Sequence, residues 1–228
     1  LPIALAPFRG SSAIASVACG SGHTVVLLED GRVFSFGRGD DGRLGHGEAS
    51  WKHLPEEVDA LRGRRISQVT CGSYHSAFVT DEGELLTCGG SMFGKLGHHS
   101  LSACRVPEVV TAIKGQRVVS VACGSRHTLA LLDSGLVFSW GERLCTGHAD
   151  AIERDTHDYV PRKIEGLEEH TIIGVSACGF HSAAVTAGGA LFTWGDGRFG
   201  RLGHGDEESE VVPRMVETLQ GHAVQQVA

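Results

Sequence analysis

One pattern of apolar and polar positions recurs along this chain with a nearly fixed period. Each copy opens with a short run of small apolar residues, breaks at glycine, and continues with a β-branched and apolar run that starts at histidine. Spacings of 52, 52, 54 and 52 residues separate one marker valine from the next in the series Val17, Val69, Val121, Val175 and Val227. A fixed period of this size is typical of stacked or radial repeat architectures.

Within one copy, the pattern predicts three tightly linked strands and a fourth strand at an edge. In the first copy the three strands are residues 14–19, 23–28 and 32–36, with a hairpin turn at Asp30-Gly31. A glycine-rich loop follows, and then the segment 55–58, which its proline restricts to a sheet edge. Each copy is therefore predicted to form one small four-stranded antiparallel sheet.

The copies together predict an all-β protein. No apolar period of 3.6 residues persists, which excludes a helical solenoid. One such sheet cannot bury both of its faces alone, so its neighbours must cover them. Four-stranded sheets repeated around an axis, with small residues on the crowded innermost strand, form a β-propeller. We predict a single repeat domain over residues 1–228, made of the end of a preceding unit, four full units and the start of a fifth, at 1–13, 14–65, 66–117, 118–171, 172–223 and 224–228.

The third copy departs from the strict repeat after its third strand. Its glycine-rich loop is two residues shorter than in the first copy, and the connection from His148 to Pro161 is four residues longer. An insertion in a regular array maps to a loop and often to the binding face. A variation in loop length without any function is an equally good explanation. The candidate partner-binding residues here are Glu153, Arg154, Asp155, His157, Asp158 and Tyr159.

Composition and charge narrow the class of protein. The 228 residues carry a net charge of -7, which gives no overall attraction to nucleic acid or to anionic membranes. No apolar run approaches the roughly 20 residues of a spanning helix. Seven cysteines cannot all pair within one chain, so we expect free thiols in a reducing compartment and an intracellular, cytoplasmic or nuclear location.

Cysteine and histidine recur with three residues between them, a spacing that zinc sites also use. The pairs occur once per copy and are thus spread around the axis, whereas a tetrahedral site needs its ligands at one point. We therefore predict a small core cysteine and a turn histidine that hydrogen-bonds backbone, and no metal site. These structural positions are Cys19, His23, Cys71, His75, Cys123, His127 and, in the fourth copy, His181.

Neither a cofactor nor a catalytic group is predicted. The glycine strings at 37–42 and 195–200 satisfy the dinucleotide fingerprint, but Arg-Leu-Gly-His-Gly follows each of them in place of the required helix. Every His-Ser or His-Thr pair recurs as part of the repeat, so no triad can be defended.

Three basic residues, Arg43, Lys95 and Arg201, occupy one repeat position, and Arg143 lies near it in the third copy. Repetition places them on one rim of the ring. They are either solvated loop charges or a basic ring that faces a partner.

The repeated frame resembles the regulator of chromosome condensation repeat family. The matching elements are Val-x-Cys-Gly-x-x-His-Ser/Thr, then Gly-x-Val/Leu-Phe-x-Trp-Gly, and then Gly-Arg-Leu-Gly-His-Gly. Members of that family usually form a closed ring of seven blades, so the resemblance implies a section of about four blades. A four-bladed ring closed by its two ends is the alternative. An open section exposes apolar sheet faces and is expected to self-associate.

The resemblance also implies a function. Family roles include nucleotide exchange on the small GTPase Ran with chromatin binding, recognition modules of ubiquitin ligases and kinases, and light sensing. We expect a non-catalytic module that binds protein partners through its loops, for example a small GTPase or a ubiquitin-pathway component. Exchange on a Ran-like GTPase with chromatin association is the alternative, although the four units lack the family exchanger's long wedge insertion. Three tryptophans are too few for the clustered indoles of the light sensor.

Overall fold

The computed structural model describes residues 12–151 and 157–228, so the predicted site residues Glu153, Arg154 and Asp155 lie outside the described residues. In chain order the strands are β1 Ile14–Cys19, β2 His23–Leu28, β3 Val33–Gly37, β4 Lys52–Glu57, β5 Ile66–Cys71, β6 His75–Thr80, β7 Leu85–Gly89, β8 Cys104–Val109, β9 Val118–Cys123, β10 His127–Leu132, β11 Val137–Gly141, β12 Asp158–Lys163, β13 Ile172–Cys178, β14 His181–Thr186, β15 Leu191–Gly195 and β16 Glu210–Met215.

Helical structure in the described part is confined to single turns. A four-residue helix, α1 Arg143–Thr146, follows β11. Three-residue 3-10 helices lie at Asp40–Gly42, Asp59–Leu61, Met92–Gly94, Thr111–Ile113, Ala149–Ala151, Glu165–Leu167, Arg198–Gly200 and Glu217–Leu219. None of these helices is long and apolar enough to cross a membrane.

The strands form four separate antiparallel sheets of four consecutive strands each, which we call blades one to four. In every blade the first strand pairs with the second in the same register, so that Val17, Val69, Val121 and Val175 sit opposite equivalent residues. The four first strands lie side by side, and their ends line a common axial opening at Cys19, Cys71, Cys123 and Cys178. Four of the five marker valines thus lie on equivalent innermost strands around a shared centre, as predicted.

Each seam between blades is filled by side chains from both of its sheets. Between blades two and three, Trp140 and Val121 pack with Ala77, Val79 and Leu85 of the preceding sheet. Between blades three and four, Trp194 and Phe192 pack with Leu129 and Leu131 in the same way. The apolar area removed from water therefore belongs to pairs of blades, and each blade depends on its neighbour for stability.

The outer strands begin earlier than the sequence predicts. We expected 55–58 and 107–110, and the strands are Lys52–Glu57 and Cys104–Val109. Each outer strand pairs with only one neighbour, which is the edge position expected for Pro55. Because such a strand exposes many side chains, its first residues carry no apolar signal.

The residues after blade four repeat one contact between successive units. The Val224 N–H donates to Gly189 O at 3.1 Å, as the N–H of Ile66, the first residue of β5, donates to Gly31 O at 3.2 Å.

The four blades form part of a propeller and do not close into a ring. Val17 of the first inner strand is 53% exposed, whereas Val69 at the same place in blade two is 8% exposed. Ile14 is 48% exposed, and its counterpart Ile66 is 3% exposed. The inner strand of blade one therefore presents an uncovered apolar edge to solvent.

We expect this edge to drive self-association of the 228-residue chain. Light scattering should give a mass above that of the monomer, which rises with concentration, and the double change Val17→Ser with Ile14→Ser should restore the monomer. The matched control is Val119→Ser, because Val119 is 49% exposed on the inner strand of blade three, where a blade precedes it. A sharp monomer for the unchanged chain would contradict the expectation.

Candidate functional site

The loops that follow the first and third strands of every blade gather at one end of the propeller. Adjacent strands are antiparallel, so these two kinds of loop share an end, and the second-strand turns lie at the other. We call this end the loop face. It consists of residues 20–22, 72–74, 124–126 and 179–180 after the first strands, and of the described parts of 38–51, 90–103, 142–157 and 196–209 after the third.

A histidine at the start of the second strand joins each of the first three blades to the next. Its Nε2 lies within hydrogen-bond distance of a hydroxyl at the second position of the following blade's second strand. The three bonds are His23 to Ser76 at 2.9 Å, His75 to Thr128 at 2.8 Å and His127 to Ser182 at 2.8 Å. The turn histidine predicted to bond backbone thus bonds a side chain of the neighbouring blade.

The hydroxyls fix the direction of these bonds. Ser76 donates its single hydrogen to the carbonyl of Arg43 at 2.7 Å, and therefore accepts from the His23 Nε2–H. Thr128 and Ser182 donate in the same way to the carbonyls of Lys95 and Cys145. The buried Nδ1 atoms carry the free lone pair and have no hydrogen-bond partner. The histidines of the seam are accordingly neutral.

Burial keeps these rings uncharged. It lowers the pKa of His23 to about 4 and that of His127 to about 3, and it lowers the pKa of His75 well below 6.5. The ring of His23 lies against the Gly20 backbone, where a Cβ would stand 2.3 Å from Cε1. The same contact at Gly72 and Gly124 explains why glycine follows the cysteine in the first three copies.

The cysteines of the Cys-x-x-x-His pairs differ in exposure, and one of their thiols contacts the neighbouring blade. The Cys71 thiol points at the Ala18 carbonyl of the preceding blade, 3.6 Å away. Burial raises the pKa of Cys71 to about 12, so the thiol is protonated. Cys123 is buried and Cys19 is exposed at the open end. In the described part of the chain, the one group of metal-type donors lies elsewhere, at His98, Cys104 and Glu108.

A second repeated bond set anchors the long loop of each blade to its own third strand. In blade one, Ser35 donates to the carbonyl of the buried Leu44 at 2.7 Å and accepts from His46 at 2.9 Å. The same arrangement recurs with Thr87, Leu96 and His98, with Ser139, Thr146 and His148, and with Thr193, Leu202 and His204. The Leu-Gly-His element of the repeat is therefore a loop anchor.

The basic residues at the shared repeat position are not equivalent in exposure. Arg43 and Lys95 are each only 2% exposed, so they are not the solvated loop charges that formed one of the two alternatives. The Arg43 guanidinium donates to Ser73 O at 3.0 Å across the seam, and burial lowers the pKa of Lys95 to about 8. Arg201 is half-buried beside Asp196. In blade three the position is held by Cys145, whose carbonyl takes the same bonds, and Arg143 points outward.

The loop face carries a stack of alternating cations and aromatic rings that the sequence reasoning missed. Tyr74 lies over both basic groups of its neighbourhood, with its centroid 5.0 Å from Arg43 Cζ and 5.8 Å from Lys95 Nζ. Arg126 lies between Phe93 of blade two at 4.5 Å and Phe180 of blade four at 4.9 Å. The sequence feature that could have indicated these contacts is the residue before each repeat histidine, which differs in every copy: Gly22, Tyr74, Arg126 and Phe180.

Two loops hold a phenylalanine in the left-handed backbone region at one repeat position. Phe93 has φ 67° and Phe199 has φ 64°, a conformation that bulky residues rarely adopt. Phe199 is 84% exposed, so packing does not explain its side chain. Asp41 holds the same position in blade one with φ 60°, so the left-handed turn belongs to the repeat, and two blades place an aromatic ring on it.

An open hollow of about 750 Å³ lies at the centre of this surface, between the long loops of blades two and three. Met92 and Leu101 form its exposed apolar rim, at 67% and 59% exposure. The other principal lining side chains are Tyr74, Phe93, Lys95, Arg126, His157 and Tyr159.

The structure brings two residues of the predicted loop to this hollow, beside Lys95 of the predicted basic set. His157 and Tyr159 line it, and the His157 ring meets Phe93 edge to face at 4.9 Å. Asp158 between them is buried, and its carboxylate lies 3.3 Å from the Thr146 hydroxyl and 3.8 Å from Arg162. Asp158 therefore supports the blade, and burial keeps its carboxylate from the exposed surface of the hollow.

Four antiparallel blades about an open axis, with a shaped loop face at one end, define a partial β-propeller. The family model of the RCC1-like domain matches residues 2–228, and the chain belongs to this family. The resemblance to the regulator of chromosome condensation repeats is thereby confirmed.

Curated relatives of this chain are named for different activities. The chain is 40% identical over 219 residues to the E3 ubiquitin-protein ligase HERC2 of Homo sapiens, across 93% of this chain and 4% of that protein. It is 40% identical over 214 residues to the ultraviolet-B receptor UVR8 of Arabidopsis thaliana, across 93% and 48%. It is 35% identical over 210 residues to the secretion-regulating guanine nucleotide exchange factor of Mus musculus, across 89% and 45%. The chain thus spans less than half the length of each.

Solved structures agree on the fold. Human WBSCR16 superposes with a TM-score of 0.81 at 28% identity, over 90% of this chain and 53% of that one. Yeast RCC1 (Prp20), solved with Kap60, superposes with a TM-score of 0.79 at 23% identity, over 95% and 50%, which shows the fold alone.

Proposed function

We propose that this chain is a non-catalytic interaction module that binds a protein partner through its loop face. The observation that carries the proposal is the hollow between blades two and three, where exposed Met92 and Leu101 surround a pre-packed set of aromatic and basic side chains. Exposed apolar surface with a polar rim marks an interaction site. Aromatic residues, methionine and arginine are the residue types enriched at protein interfaces.

The geometry favours a partner that inserts an apolar side chain into the hollow. Arg126 is already held between two rings, and its Nη1 lies 3.3 Å from Glu142 Oε2. A side chain fixed before binding loses little rotamer entropy on complex formation. The remaining donors of Arg126 can then bond a carbonyl or carboxylate of the partner. Named relatives that include a ubiquitin ligase and an exchange factor support protein binding, and the free cysteines support an intracellular location, cytoplasmic or nuclear.

Exchange on a Ran-like small GTPase, with chromatin association, is the alternative function. The similarity to the secretion-regulating guanine nucleotide exchange factor favours it. The net charge of -7 gives no support to chromatin binding. Light sensing is not proposed, because the three tryptophans do not form one cluster. Trp140 and Trp194 donate to backbone carbonyls in separate seams, and the exposed Trp51 directly precedes the outer strand of blade one.

Release of labelled GDP from a panel of small GTPases, measured beside a pull-down with the same GTPases and with ubiquitin-pathway proteins, separates the two functions. Stable complexes without faster release support the interaction module. Acceleration of release supports the exchange factor and contradicts the proposal.

We expect Leu101→Glu to weaken binding of the recovered partner about 30-fold or more, which corresponds to about 2 kcal/mol. The change places an unpaired charge where the partner buries apolar surface. Because Leu101 is exposed, the melting temperature should not change. Titration calorimetry gives the Kd.

The matched control is Leu54→Glu, since Leu54 is 64% exposed but lies on the outer strand of blade one. It should bind as the unchanged chain does. Equal affinities for the two variants would remove the hollow from the binding surface.

A further inference from the structure

The outer strands of the blades carry a repeated pair of interacting side chains. The first member lies opposite the glycine that ends the third strand, and the second lies four residues later. In three blades the pair joins opposite charges: Lys52 with Glu56 at 2.8 Å, Asp158 with Arg162 at 3.8 Å, and Glu210 with Arg214 at 2.6 Å. In blade two the same two positions are Cys104 and Glu108. Here neither member of the pair is a cation.

A histidine of the loop anchor lies beside this pair. Thr87 donates its hydrogen to Leu96 O at 2.8 Å, so it accepts from the His98 Nε2–H, also at 2.8 Å. The neutral ring therefore keeps a lone pair on Nδ1 and is held in one orientation, as zinc-binding histidines are by their outer partners. Donor atoms of His98, Cys104 and Glu108 all lie within 4.8 Å of one another.

We propose that His98, Cys104 and Glu108 bind a zinc ion at the outer edge of blade two. An imidazole nitrogen, a thiolate and a carboxylate form a donor set that suits Zn²⁺, and three protein ligands leave a fourth position for water. The two charges of the ion balance the thiolate and the carboxylate, so the ion supplies the cation that the other blades supply with lysine or arginine.

The arrangement needs little movement to close on the ion. Tetrahedral zinc spaces its ligand atoms about 3.3 to 3.8 Å apart, so a contraction of about 1 Å is required. Glu108 is exposed, whereas Cys104 is buried and His98 is held by Thr87. Without metal, the Cys104 thiol donates to Val106 O at 2.9 Å. Metal binding replaces that proton.

The site departs from the sequence prediction of no metal. That prediction considered cysteine and histidine pairs within one repeat element, which the fold spreads around the axis. His98, Cys104 and Glu108 come from the loop anchor and the outer strand, and only the repeat comparison shows that blade two differs.

The test is titration of the metal-free 228-residue chain with zinc chloride by calorimetry, and with cobalt by absorption. We expect about one equivalent of zinc, and a thiolate-to-cobalt charge-transfer band in the near ultraviolet. Cys104→Ser should abolish the band and weaken zinc binding by more than about tenfold. Cys178→Ser, which removes an exposed thiol at the axial opening, should change neither.

The orienting hydroxyl provides a second, independent variant. Thr87→Val should weaken zinc binding about 10- to 100-fold. Thr87→Ser should restore it, because serine holds the equivalent histidine in blades one and three. Zinc binding that is absent from the unchanged chain, or equal in the unchanged chain and Cys104→Ser, would overturn the proposal even if Thr87→Val fails to fold.

Discussion

Replacement of Trp140 by alanine should lower the free energy of unfolding by about 3 to 5 kcal/mol. Its indole is fully buried in the seam between blades two and three. The Nε1–H donates to Lys95 O at 2.8 Å, and that carbonyl also accepts from Thr128. The substitution removes a large volume from a core shared by two blades and leaves one acceptor with a single donor. Urea unfolding followed by far-ultraviolet circular dichroism measures the loss.

Trp51→Ala is the control for this prediction, because Trp51 is 58% exposed and its Nε1–H bonds the surface residue Asp40. Its effect should stay below about 1 kcal/mol. Trp194→Ala should match Trp140→Ala, since Trp194 is equally buried and donates to Cys145 O at 3.0 Å. A loss under 1 kcal/mol for both buried tryptophans would show that the seams do not carry the stability.

Acidification should lower the free energy of unfolding over a pH range that is set by the pKa values of the seam histidines. In the folded state the pKa of His23 is about 4 and that of His127 about 3, and the pKa of His75 is also far below the unfolded value of about 6.5. The unfolded state therefore binds more protons than the folded state between these limits. Stability present above pH 6.5 is lost as the pH falls toward 4, by up to about 1.4 kcal/mol per pH unit for each histidine.

The measurement is the free energy of unfolding from urea curves at a series of pH values. His75→Gln should reduce the slope between pH 6 and about 4.5 by up to one proton, because glutamine cannot titrate. Carboxylates act in a lower window, since the Arg198 guanidinium lowers the pKa of Asp196 to about 2. A flat profile from pH 7 to about 4.5 would contradict neutral, buried seam histidines.

The repeat made most of the fold predictable. The apolar runs at 14–19, 66–71 and 118–123 are strands with those bounds, because a glycine breaks each run directly after its cysteine and the same run recurs at the fixed period. The outer strands were misplaced by up to three residues, since one of their faces is solvated. Local pattern is thus sufficient where an apolar run and a glycine mark the ends of the strand.

The contacts between blades could not be read from one copy. His23 bonds a hydroxyl 53 residues later, and Arg43 is buried against a loop 30 residues later. Nothing within either copy distinguishes these side chains from solvated loop residues. The contacts among Tyr74, Phe93, Arg126 and Phe180 could not be predicted for the same reason. These residues come from three blades, and the residue type at each of their repeat positions differs from blade to blade.

The most direct test of the proposed function places a photo-crosslinking amino acid on each end of blade two, in cells that express the protein. Position 92 lies on the rim of the hollow, and position 82 lies in the exposed turn at the opposite end of the same blade. We predict covalent protein adducts from position 92 and none from position 82, with the adducts lost when Leu101→Glu is added. Adducts from position 82 alone, or equally from both positions, would contradict a loop face that binds the partner.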